Sequence, residues 1–202
     1  TTLTPTLDAA QSDIRTISGN GNIVLRTTLG SIILNDGTRL PDGTAGTNDT
    51  AVSANGSGNI LIQTLSATGD ITANADIVSG SGNVSVLAGQ SIVFSGYADI
   101  RTSSGTAATN GSIDVVAGTG SITQSATSVF LSTGAAATAR LLAATNVTVG
   151  DIELTLGQVG ITATAGSVLD ADALVGSAND ADQDVTAAGL RLSAGTAVGA
   201  TV

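Results

Sequence analysis

One short phrase constrains this chain more than anything else in it. Glycine, then Asn or Ser, then Ile or Val occurs as Gly21-Asn22-Ile23, Gly58-Asn59-Ile60, Gly82-Asn83-Val84 and Gly111-Ser112-Ile113. A sister phrase follows each: Gly30-Ser31-Ile32, Gly69-Asp70-Ile71, Gly120-Ser121-Ile122, and a looser Gln90-Ser91-Ile92 after Gly89. A third element closes the unit, as Asp13-Ile14-Arg15-Thr16, Ala51-Val52-Ser53-Ala54, Asp76-Ile77-Val78-Ser79 and Asp99-Ile100-Arg101-Thr102. Starts at residues 21, 58, 82 and 111 make the units 37, 24 and 29 residues long. The next unit reads from 111 to about 144, with Asn146-Val147-Thr148-Val149 opening another.

Each phrase leads into a short alternating run. Alternate residues of a strand point to opposite faces. Ile60 and Ile62, Val84 and Val86, and Ile113 and Val115 are therefore expected inside, with Asp114 in solvent. Strict short periods belong to left-handed hexapeptide helices, and calcium rolls need Gly-Gly-x-Gly-x-Asp. Neither is present. A right-handed parallel β-helix tolerates unequal units, because each strand pairs only with its copies one coil above and below. The expected fold is all-β: a β-solenoid of about six irregular three-strand coils, stacked at about 4.8 Å per coil. Glycine at each motif start is expected to supply the positive φ of a sharp corner. The Asn after it is expected to form a ladder or to bond nearby backbone.

Composition supports thin, repetitive layers. Hydrophobic residues are 42% of the chain but aromatics only 1%, namely Phe94, Phe130 and Tyr97. Globular cores draw much buried area from aromatics; a core of Ile, Val, Leu and Ala suits stacked strands. The net charge is −10, and the six arginines (Arg15, Arg26, Arg39, Arg101, Arg140, Arg191) are scattered along the chain. No basic patch is available to release counterions from nucleic acid, so no nucleic-acid partner is expected. No apolar run approaches the length of a membrane helix, so no membrane insertion is expected. There is no cysteine, so no disulfide staples the fold. Residues 1–20 carry no signal-peptide pattern. Residues 1–202 therefore read as a single β-helix segment, an internal fragment of a longer chain without an evident cap at either end.

Departures from the repeat mark candidate surfaces. Residues 35–49 form a loop insertion between the second and third strands, an exposed place for recognition. Shorter excursions are expected at 103–110 and at 134–140, the latter as a helical turn at most. After about 145 the register blurs, with candidate strands at 146–149, 151–156, 159–164, 167–171, 184–187 and 189–194. Asp170, Asp172, Asp180, Asp182 and Asp184 crowd one segment. The last three open like a calcium loop, but Val185 and Arg191 stand where an EF-hand needs Gly and Glu. Whether Asp170–Asp184 binds calcium stays open, and a solvated turn is the plainer reading. The Asn-x-Ser/Thr triplets at Asn48, Asn55, Asn83, Asn110 and Asn146 read as chance in a chain rich in Ser and Thr.

The Gly-Asn-Ile/Val coil starts, together with the phrase Asp184-Val185-Thr186-Ala187-Ala188-Gly189-Leu190-Arg191-Leu192-Ser193-Ala194-Gly195-Thr196-Ala197-Val198-Gly199, resemble the filamentous haemagglutinin-type adhesin repeats of large bacterial surface proteins. The resemblance covers residues 13–202. It implies secretion through an outer membrane, a cell-surface location, and a shaft-like role in cell–cell or cell–surface contact. The partners it implies are a host or neighbouring-cell glycan or protein, and neighbouring coils of the same parent chain. The secretion-domain motifs of that family are not found, in keeping with an internal fragment.

Two other function classes account for parts of the sequence. A carbohydrate-binding or polysaccharide-degrading β-helix could pair Asp170 with Asp172 on one strand face. The chain has no His or Lys to tune as a base, and arginine holds its proton too tightly for easy transfer. An ice- or surface-binding solenoid needs outward Thr in one place, yet Thr64, Thr72, Thr102 and Thr123 do not recur at a fixed motif position. The expectation is a scaffold and not an enzyme, with no catalytic, cofactor-binding or metal-ligating residue.

Overall fold

The computed structural model describes residues 14–36, 50–102, 111–172 and 183–200. The strands come in threes. The first coil holds β1 (Ile14–Arg15), β2 (Ile23–Thr27) and β3 (Ile32–Leu34); the second holds β4 (Thr50–Ala54), β5 (Ile60–Thr64) and β6 (Ile71–Ala73). The third holds β7 (Asp76–Ser79), β8 (Val84–Ala88) and β9 (Ile92–Phe94); the fourth holds β10 (Ile100–Arg101), β11 (Ile113–Ala117) and β12 (Ile122–Gln124). The fifth holds β13 (Val129–Leu131), β14 (Thr138–Ala143) and β15 (Val147–Val149). In the last two coils the first two strands fuse: β16 (Asp151–Ala163) is followed by β17 (Val168–Asp170), and β18 (Val185–Ala194) by β19 (Val198–Ala200).

Every recorded strand pairing is parallel, and each strand pairs with its copy one coil away. The third strands form a 7-stranded sheet, so the described rod has seven coils, one more than expected. The first and second strands form separate faces for five coils. They count as one 12-stranded sheet because β16 turns the corner, pairing β13 through Asp151 and β14 through Gln158. The result is a three-faced parallel β-helix, as the repeat predicts.

The interior consists of ladders. Ile23, Ile60, Val84, Ile113, Ala139, Val159 and Leu190 stand in one column of the second face. Val52, Ile77, Ile100, Phe130 and Ile152 form a column of the first face, and Ile71, Ile92, Ile122 and Val147 one of the third. Phe94 and Phe130 meet edge to face at 4.7 Å in the centre. The tight coil leaves little room for large side chains, and a column of alanines (Ala88, Ala117, Ala143, Ala163) lines one corner.

The residue before each inward aliphatic explains the motif. The Asn59 amide donates to Asn22 Oδ1 (2.8 Å), the Asn83 amide to Asn59 Oδ1 (2.8 Å) and the Ser112 amide to Asn83 Oδ1 (2.9 Å). The same device runs along the third face through Ser31, Asp70 and Ser91, and along the first through Asp76 and Asp99. At these strand starts a side-chain oxygen replaces the ladder carbonyl that the turn has carried away. A backbone donor without a ladder carbonyl needs such a partner. Inside the corners, Ser79 and Thr102 donate to the carbonyls of Gly58 and Gly111. Among the described residues no buried side-chain polar atom lacks a hydrogen-bond partner.

Four expectations are corrected. The motif glycines Gly21, Gly58, Gly82 and Gly111 are not at positive φ; among the described residues that conformation belongs to Gly19, Gly56, Gly96, Gly199 and Asn20. Glycine is needed instead because coils touch there: a Cβ on Gly58 would lie 2.2 Å from the Gly21 carbonyl oxygen, and one on Gly82 2.2 Å from that of Gly58. Asn146-Val147 does not open a unit: Val147 pairs with Ile122, making it a third-face strand, and the unit opens at Thr138 opposite Ser112. The 134–140 segment is a turn at 135–136 running into β14, not helix. Thr64 and Thr102 are buried and not outward. The insertion at 35–49 and the excursion at 103–110 lie outside the described residues, apart from Asn35 and Asp36. There the Asn74 side-chain amide donates to Asn35 Oδ1 at 2.7 Å.

Candidate functional site

With the interior occupied by aliphatic ladders, recognition falls to the outward positions and corners. Two places gather chemistry there.

The first is acidic. Asp170 ends β17, Asp172 follows it, and Asp184 precedes β18 one coil later. Stacking brings the last carboxylate over the first two: one oxygen from each lies within 4.8 Å of the others, and all three residues are half-buried. The Asp172 amide donates to Asp170 Oδ1 at 2.9 Å, which fixes the turn. Gly150, Asp151 and Gln183 line the adjoining pocket of ≈ 330 Å³. Converging carboxylate oxygens suit a hard cation such as calcium. Asp180 and Asp182, the other acids of the calcium-like phrase, lie outside the described residues. Val185 and Arg191, which break an EF-hand frame, both sit in β18. The sequence places Asp170, Asp172 and Asp184 in one acidic segment; the coil length is what brings Asp184 over Asp170.

The second is the outward surface of the second face. Asp114, Arg140, Gly160 and Arg191 occupy one outward column on successive coils. The Arg140 guanidinium grips Asp114 with two bonds, Nε to Oδ1 at 2.7 Å and Nη2 to Oδ2 at 2.9 Å. That hydrogen bond, above all, holds the Arg140 pKa above its ordinary value, with the charge of Asp114 adding to it. On the first face Arg101 pairs with Asp99, which likewise raises its pKa, again mainly through the hydrogen bond. The arginines scattered in sequence are thus partly gathered in space.

The third face carries a flat outward column of Ile33, Thr72, Val93, Thr123, Thr148 and Leu169. Thr72 and Thr123 do share a fixed place, with Thr148 joining them and Val93 interrupting. Among the described residues no helix is long and apolar enough to cross a membrane. Compared with protein-family models, with curated proteins and with solved structures, the chain gives no match, so its parallel β-helix rests on its own register and burial.

Proposed function

We propose that this chain is a shaft or adhesion segment of a secreted or cell-surface bacterial adhesin, mediating cell–cell or cell–surface contact without chemistry of its own. The observation carrying this reading is continuity. Seven coils keep their strands stacked copy on copy while the connections between them vary in length, which is what a spacer that displays loops requires. Solenoid stability is roughly a sum over neighbouring coils, so length can be added without redesigning a core. Seven coils at about 4.8 Å rise make a rod on the order of 30 Å. The resemblance to haemagglutinin-type repeats supports the surface location and the bacterial source.

Beads coated with the chain are expected to adhere to cells bearing surface glycan or protein, and to lose adhesion on proteolysis of the coat. Release of reducing ends from acidic or neutral polysaccharides in proportion to added protein would overturn the reading in favour of a degrading β-helix. A second reading rests on the column holding Thr72, Thr123 and Thr148: a face that binds ice or another ordered surface. Thermal hysteresis that vanished in a Thr123→Asp variant would favour it over the shaft.

A further inference from the structure

Arg140 and Arg191 are 51 residues apart in the chain, yet only Gly160 separates them in their outward column. The two backbones are two coil spacings apart, about 10 Å. Gly160 leaves the position between them empty, since a Cβ built there meets nothing within 4 Å. Gly189, paired with Gln158, lets the Gln158 side chain lie over it, since a Cβ there would fall 2.0 Å from Gln158 Oε1. The outcome is a groove of ≈ 520 Å³ floored by the Gly160 backbone, with an arginine on either side and the Gln158 side chain lying over Gly189 at one end.

The charges are arranged for an anion. Asp114 takes the Nε and Nη2 edge of Arg140 and so fixes its direction, leaving Nη1 outside the pair. Among the described residues no carboxylate pairs with Arg191. The local balance of Asp114, Arg140 and Arg191 is positive in a chain whose net charge is −10. A guanidinium matches a carboxylate through two parallel hydrogen bonds. The field of the rest of the chain disfavours a dense polyanion such as nucleic acid, and less so a single carboxylate on an otherwise neutral body. The open backbone at Gly160 suits the face of a sugar ring, and the Gln158 amide beside it offers both a donor and an acceptor to hydroxyls.

The geometry points to a binding site for a uronate residue of an acidic saccharide, seated on Gly160 with its carboxylate on Arg191 and Arg140. The site goes beyond the shaft reading and does not depend on it: a rod without this groove is still a rod, and cell adhesion by another surface would survive loss of the site.

The test is a nitrogen-15 NMR titration of the whole chain with a neutral oligosaccharide carrying one galacturonate, with its methyl ester, and with inorganic sulfate. The amides of Gly160 and Gly189 and the Arg191 Nε–H are expected to shift with the acid oligomer. The methyl ester should bind at least about tenfold more weakly, which a single lost charge-assisted contact produces. Gly160→Val should abolish the shifts while leaving the fold intact, since the added side chain has open space; Arg191→Gln should weaken binding about tenfold. Arg26→Gln, on the first coil, should change nothing. Absence of shifts, equal binding of the ester, or undiminished binding by both Gly160→Val and Arg191→Gln overturns the site. Sulfate binding as tightly as the oligomer shows an adventitious ion only and overturns the saccharide assignment.

Discussion

The sixth and seventh coils have the same fused strand pattern and different interiors. In one column of the second face, Val115, Leu141 and Ile161 are 0% exposed, while Leu192, the next member, is 39% exposed. Leu190 (50%) and Val198 (52%) differ in the same way from Val159 (3%) and Val168 (5%) before them. Among the described residues no coil lies on the far side of the seventh. Burial in this fold is therefore a property of the interface between coils, and each interface is made by two neighbours.

The largest expected effect tests that directly. Leu141→Ala, in the fifth coil, should destabilise the rod by about 2–5 kcal/mol, because deleting a buried leucine leaves a cavity. The same change at Leu192 should cost about 1 kcal/mol or less, since the leucine is already partly in water. Denaturant melts would show the two, and equal losses would break the comparison. Amides of β18 and β19 should also exchange with solvent well before those of β11 and β14. Next in size is Gly82→Ala. Its methyl group would press on the Gly58 carbonyl, and a close-packed coil should lose about 1–3 kcal/mol of stability.

Asn83→Ala follows. It removes the acceptor for the Ser112 amide, and the expected loss in melts is about 1 kcal/mol, the ordinary size of one hydrogen bond. The smallest effect has the opposite sign. Gly160→Val places a β-branched side chain on an open strand position and should raise stability by about 0.5 kcal/mol. A loss of comparable size there would mean that the groove floor is packed and not open.

The repeat was legible where three demands fell on adjacent residues. At Gly58-Asn59-Ile60 the glycine permits contact between coils, the Asn caps the next amide, and the Ile fills the ladder. Each demand restricts the residue type, so the phrase recurs. At Ala137-Thr138-Ala139 the same positions are met differently. Thr138 takes the amide-capping place opposite Ser112, and Ala139 fills the column of Ile113. The phrase disappears although the backbone does not, which is why the register was lost near 145 and the unit boundary misplaced. The glycines were recognised as special for the wrong reason, since a carbonyl in a neighbouring coil is invisible in a single sequence.

The outward groups were harder still. Corresponding residues lie 37, 24, 29 and 26 positions apart along the capping ladder, then 20 from Thr138 to Gln158 and 31 from there to Gly189. No fixed offset predicts that Arg140 stands over Gly160 and Arg191, or that Asp184 returns to Asp170. An aliphatic ladder announces itself by composition. A pair of charges on two turns does so only once the length of every turn is known.

The side-chain caps all run one way. In each, the oxygen belongs to the earlier turn and the amide to the later one, as from Asn22 to Asn59, Asp70 to Ser91 and Asp99 to Val129. The winding thus has an arrow. A coil therefore finds a side-chain acceptor already in place for its capping amide, while the amide of the next, aliphatic residue, as at Ile60, Val84 and Ile122, waits for a carbonyl of the coil that follows. Winding from the amino end thus always joins a new turn by one bond and leaves one donor ready for the turn after it.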